Sequence, residues 1–176
     1  MLAVIAVLTA GWPLVSSAVA GHRPLAAGTT VTIGPSAAES GRVTVGPGWS
    51  VLTASSNPQR YYLFSHGALR LSVRYVGLFQ PAEGEQLLQG MRELLRIGHP
   101  GVRPGRPRVI STVDGRRGLT ALLSGPGQTG QAAVFLAPTR VFAIEMILLG
   151  PSSAASTIRA AGVPVLQSLR FPAAAP

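Results

Sequence analysis

The stretch Tyr61-Tyr62-Leu63-Phe64-Ser65-His66-Gly67-Ala68-Leu69-Arg70-Leu71-Ser72-Val73-Arg74-Tyr75-Val76 decides the fold class. From Ala68 to Val76 the residues alternate, with Leu69, Leu71, Val73 and Tyr75 on one face and Arg70, Ser72 and Arg74 on the other. That period of two is the pattern of a strand buried on one side. His66-Gly67 before it is a two-residue turn signal, and closing a hairpin there sets Phe64 opposite Leu69 and Tyr62 opposite Leu71. Both strands then present apolar residues to one core.

Working outward, Asp114-Gly115 predicts a second hairpin, between Arg108–Val113 and Arg116–Leu123. A loop over Gly125–Gly130 leads to a strand over Gln131–Ala137. A further strand over Arg140–Leu149 is apolar on both faces apart from Glu145, the pattern of a central strand covered on both sides. Two helices complete the pattern. Pro81–Ile97 places Leu87, Leu88, Met91, Leu94 and Leu95 on one stripe, and Gly98-His99-Pro100 stops it. The second opens at Ser152 or Ser153 and carries Ala154, Ile158, Ala161, Val165 and Leu169, with a kink or break expected near Gly162 because Pro164 disfavours a helix interior. The expectation is an α+β domain, an antiparallel sheet of about six strands covered by two main helices.

Composition bounds the rest. The 176 residues include fifteen Lys+Arg, every one an arginine, against six acids, a net charge of +9, and there is no cysteine. Disulfide scaffolds, thiolate metal sites and cysteine nucleophiles are excluded. Only 12% of residues are charged and 47% are apolar, which suits a folded core and not a disordered basic tail. Met1–Gly21 has no charge and about the length that crosses a bilayer, so residues 1–21 read as a transmembrane anchor, with a signal peptide cut after Ala18-Val19-Ala20 as the alternative. Arg23 follows this segment and no basic residue precedes it. The positive-inside rule taken literally would leave the following domain in the cytoplasm, and a basic stretch upstream of Met1 would reverse that. The remaining organisation is a linker and first extended segment over 22–41, one domain over 42–171 and a frayed tail over 172–176.

Four short signatures carry a resemblance. Val45-Gly46-Pro47-Gly48-Trp49, Ser111-Thr112-Val113-Asp114-Gly115, Phe142-Ala143-Ile144-Glu145-Met146 and Ser168-Leu169-Arg170-Phe171 occur in this order. Together with the element order they resemble PsbP-like α/β/α sandwich domains, found in photosystem accessory proteins and in many exported actinobacterial proteins. The likeness runs from about Val43 to Phe171. It implies an α/β/α architecture and a non-enzymatic accessory or interaction role. The lipobox cysteine of many bacterial relatives is missing, which leaves the apolar first segment as the means of attachment.

The residues that could carry chemistry are few. His22, His66 and His99 match no zinc or triad spacing. Glu83, Glu85 and Glu93 decorate a helix, Asp114 forms a turn and Glu39 sits in a loop. Neither Gly46-Pro47-Gly48 nor Gly125-Pro126-Gly127 has the spacing of a phosphate cradle. No catalytic residue, metal ligand or cofactor site is expected. Glu145 is the exception among the acids, since a charge on an apolar strand face needs a partner, and an arginine on a neighbouring strand would supply a buried ion pair. Trp49 is expected in the core or at its rim.

One basic cluster stands out. Arg103, Arg106, Arg108, Arg116 and Arg117 fall within fifteen residues holding one acid, a net +4. Guanidinium forks suit carboxylates and phosphates, so an acidic protein face, anionic lipid heads or an anionic envelope polymer are eligible partners. Nucleic acid is disfavoured, because an export signal would separate the domain from it and no recognition motif is present. The reading is a membrane-anchored, extracytoplasmic interaction domain. The alternative is an exported carrier of a small apolar or lipid-like ligand, held between sheet and helix.

Overall fold

The computed structural model describes residues 21–80 and 83–172. The apolar first segment, Gly21 excepted, and the last four residues lie outside the described residues. Among the described residues no helix is long and apolar enough to cross a membrane.

The chain forms β1 (His22–Pro24), β2 (Thr30–Ile33), β3 (Gly41–Thr44), β4 (Ser50–Leu52), β5 (Tyr61–His66), β6 (Leu69–Gly77), α1 (Gly84–Gly98), β7 (Arg103–Pro104), β8 (Arg108–Ser111), β9 (Arg117–Gly125), β10 (Gln128–Leu136) and β11 (Phe142–Pro151). A helical segment from Ser152 to Gln167 closes the fold. The α+β expectation holds, but the sheet is larger than six strands. Nine strands form one antiparallel sheet in the order β1-β4-β5-β6-β11-β10-β9-β7, with β8 also paired to β9, and β2 and β3 form a second, two-stranded sheet. The extra strands are short. The stretch 22–41, read as linker and extended segment, carries β1 and β2, whose Ile33 is fully buried.

The decisive hairpin forms with its turn one residue later than the sequence suggests. Gly67-Ala68 is the loop, so Phe64 pairs with Leu71 and Tyr62 with Val73. Gly67 has φ +55°, as a turn with glycine at its first central position requires. Moving the turn by one residue shifts the register by two, which preserves every side chain's face. The second hairpin has a three-residue loop, Val113-Asp114-Gly115. Gly115 N–H donates to the Thr112 carbonyl at 3.0 Å, and Thr112 N–H donates to the Arg116 carbonyl at 2.9 Å. The expected loop over Gly125–Gly130 shrinks to Pro126-Gly127, with Gly125 paired to Gln128. Gly130 is a strand residue chosen for closeness, since a Cβ there would stand 2.0 Å from the Leu148 carbonyl oxygen.

The sheet separates two cores. On one face Phe64, Leu71, Phe135, Ile144, Met146 and Leu148 pack against Ile33, Val43 and the helical segment's Val165, Leu166 and Leu169. On the other, Ala121, Leu123, Ala132, Val134 and Ala143 pack against Leu88, Met91 and Leu95 of α1. α1 starts on a capping box, with the Glu83 side chain accepting from the backbone of Gln86 and the Gln86 side chain accepting from that of Glu83. The second helix runs on through Gly162 and, against the expectation, is not broken there, its hydrogen bonding loosening to a π-helical turn ahead of Pro164. That turn, over Ile158–Gly162, joins α2 (Ala155–Thr157) to α3 (Val163–Gln167), which begins on Val163-Pro164. The helical segment is tied down at its end, where Arg42 and Arg170 exchange backbone hydrogen bonds of 2.8 and 2.9 Å.

Candidate interaction surface

The five clustered arginines come from one edge of the large sheet. β9 is bordered on its outer side by two fragments, with Arg103 opposite Ser124 in β7 and Arg108 opposite Thr120 in β8. Between them Gly105 N–H donates to the Leu122 carbonyl at 2.8 Å, so the chain hugs β9 while Arg106 stays outside. Pro107 explains the break between β7 and β8, because a proline donates no ladder hydrogen bond, whereas Pro104 is tolerated in β7 with its missing N–H turned away from β9. Arg103, Arg106, Arg108, Arg116 and Arg117 are all exposed. None forms an ion pair among the described residues, where the pairs present are Arg96–Glu93 at 2.9 Å and Arg140–Glu83 at 3.8 Å.

Strand alternation splits this edge. Arg108 shares the face of Thr120 and Ile110, whereas Arg117 shares that of Val109 and Leu119. Arg116 and Arg117 border a concavity of about 490 Å³ together with Arg140, which the single expected cluster did not include. Beside it a groove of about 410 Å³ runs between the start of α1 and the edge, lined by Val109, Leu119, Val134 and Leu136, with Glu83 and Arg117 at its margin. The hydroxyl of Thr112 donates to the Asp114 carboxylate, and this bond is the main cause that holds Asp114 below the usual carboxylate range.

Glu145 occupies the middle of the sheet, opposite Arg74 on β6 and Val134 on β10. Burial pushes its carboxyl up, and the charge of Arg74 partly counters that. No ion pair or hydrogen bond is made by its carboxylate among the described residues. It lines a recess of about 170 Å³ with Ser72, Arg74 and His99. The other perturbed groups are tyrosines. Burial, followed by the 2.9 Å hydrogen bond that Tyr75 donates to Glu39, pushes the Tyr75 phenol up to about 12, and burial raises Tyr62 against the charge of Arg23.

A further pocket, of about 510 Å³, lies on the opposite face and is lined by Gly46, Pro47, Trp49, His66, Ala160, Ala161 and Pro164 among others. Trp49 is buried, its ring centroid stands 5.3 Å from that of His66, and its indole N–H has no hydrogen-bond partner. Gly48, at φ +78°, lets His66 in, since a Cβ there would lie 2.9 Å from the imidazole Nε2. Sequence reading found Trp49 but not the pocket, which assembles residues from three distant segments. The run Gly46-Pro47-Gly48-Trp49 was its one local signal.

No family model matches the chain, and no curated protein matches it in sequence. Solved structures do match in shape. PsbP (CyanoP) from Synechocystis sp. PCC 6803 superposes with a TM-score of 0.59 at 11% identity, over 84% of this chain and 95% of that one. The fold is PsbP-like. The PsbP-like domain is also similar to the Ran-binding protein Mog1p of Saccharomyces cerevisiae, at a TM-score of 0.54 and 10% identity over 81% of this chain and 95% of the yeast protein. Identities this low extend the likeness to architecture and no further. Among the described residues of the PsbP-like domain, no group of three or more His, Asp or Glu side chains could hold a metal ion.

Proposed function

We propose that this chain is a non-enzymatic interaction domain that engages an acidic partner through its arginine edge. The observation that carries the reading is that five exposed guanidiniums border one open sheet edge without an acidic partner among the described residues. A fold shared with a Ran-binding protein supports an interaction role by analogy. Under this proposal the apolar first segment attaches the domain to the membrane on the extracytoplasmic side, or is cleaved to release it. The partner is an envelope protein or an anionic envelope component. Affinity capture from detergent-solubilised membranes with the unaltered chain and with a variant carrying Ser at positions 103, 106, 108, 116 and 117 tests it. A partner retained by the first and lost by the second is expected, and equal capture would remove the arginine edge from the account.

The second reading, a carrier of a small apolar or lipid-like ligand, is favoured by the pocket at Trp49. Its volume of about 510 Å³ falls in the usual range for small-molecule sites, and its walls include the apolar side chains of Val45, Pro47, Trp49 and Pro164. Native mass spectrometry of the purified chain would show a retained small molecule, and Ala161→Trp would displace it.

A further inference from the structure

We infer that the outer edge of β8 receives an extended acidic peptide as an added strand. This rests on the acidic-partner reading and specifies its geometry. The hydrogen bonds flanking β8 fix which backbone groups face outward. Thr112 N–H points inward, donating to Arg116, whereas Val113 N–H points the other way and donates to the Gln167 carbonyl at 2.9 Å. Backbone groups alternate along a strand, so Arg108 and Ile110 turn toward β9 while Val109 and Ser111 turn outward. Among the described residues no strand pairs on that side, and no hydrogen bond engages the backbone of Val109 or Ser111 there. The template is short, bounded by Pro107 on one side and by the contact of Val113 with Gln167 on the other.

Side chains set what fits. Val109 is 54% exposed and lines the groove with Leu119, Val134 and Leu136, so alternate residues of an added strand would meet an apolar recess. The intervening residues would lie on the face of Arg108, which Arg103 shares further along the edge. The edge therefore suits a peptide that alternates acidic and apolar residues. In this binding mode backbone pairing gives affinity and a pocket for every second side chain gives selectivity. Charged edges ordinarily disfavour pairing between copies of one chain, and exposed Arg106 and Arg108 place such charge at this edge. The same charge attracts an acidic strand.

The test uses the full chain and a synthetic peptide of alternating Glu and Val. One control is the same peptide N-methylated on alternate residues, and the other is anionic phosphatidylglycerol vesicles. Binding is measured by calorimetry at low and moderate salt, and amide shifts are followed at Val109 and Ser111. The expected result is peptide binding, lost by about tenfold or more on N-methylation and on Val109→Pro, which removes an outward N–H while leaving the ladder to β9. The peptide comparison keeps the test open even if Val109→Pro does not fold. Equal binding of the methylated peptide, with binding still lost on replacing the five arginines by Ser, would overturn strand addition and leave the acidic-partner reading standing. Binding unchanged by the arginine replacements would overturn both. Arginine-dependent vesicle binding that the peptide does not displace would assign the edge to lipid and overturn the inference.

Discussion

The middle of the sheet and its arginine edge are built from opposite materials. β11 runs ten residues with every position buried or half-buried, whereas β8 runs four with only Ile110 buried. β11 pairs along nearly its whole length with both neighbours, and β8 has one neighbour and a proline before it. Burial on two faces makes the centre the seat of stability, since each large side chain there removes apolar surface from water. The edge contributes little to that and is free to carry charge. Substitutions in the two regions should therefore separate stability from binding.

The largest effect is expected in the centre. Phe135→Ala deletes a fully buried ring and should lower unfolding stability by about 3–5 kcal/mol, read as a drop in the urea midpoint with little change in slope. A smaller loss would mean the core collapses around the gap. Gly130→Ala adds only a methyl group, but the new Cβ would press on the Leu148 carbonyl, and a cost of about 1–3 kcal/mol should follow from the strand shift it forces.

Glu145→Gln probes the one buried charge among the described residues. Burial holds this carboxyl above its ordinary pKa, so folding favours the protonated form. Its contribution to stability is fully present below the ordinary carboxylate pKa and is lost as pH rises through the raised value. The neutral variant should therefore be more stable than the parent at neutral pH, by about 1 kcal/mol or less. The two should converge as pH falls toward about 4. A variant less stable at neutral pH would show that Arg74 compensates the charge fully. The smallest effect belongs to the edge. Each arginine-to-serine change at 103, 106, 108, 116 or 117 should alter stability by no more than about 0.5 kcal/mol while weakening capture of the partner. A larger destabilisation at any of them would blur the contrast between centre and edge.

Legibility in the sequence follows the same division. Long strands declared themselves, because Leu69, Leu71 and Val73 alternate without interruption and β11 is apolar apart from Glu145. Short ones did not. β1, β2, β3 and β4 span three or four residues among glycines, prolines and threonines, and gain their order from partners such as the Gly41–Ile33 pairing far from any periodic run. Glycine misled in a particular way at 130, where it permits close approach and not a turn. The clustered arginines were readable because nearness in sequence became nearness along β9. Arg140 was not, since only the β10–β11 connection, where it adopts φ +56°, brings it beside Arg116 and Arg117. The Trp49 pocket was invisible for the same reason, as its walls come from opposite ends of the chain.

The position of β1 has a consequence for reach. β1 begins one residue after the start of the described fold and forms the sheet margin opposite β7, seven strand-to-strand steps away. At about 4.8 Å a step, the two margins stand about 34 Å apart along the sheet. Screening at physiological salt acts over about 8 Å. An anionic surface lying against β1 would meet Arg23 there and yet be electrically out of range of Arg103, Arg106, Arg108, Arg116 and Arg117. The two margins would therefore meet charged components independently, each through its own arginines.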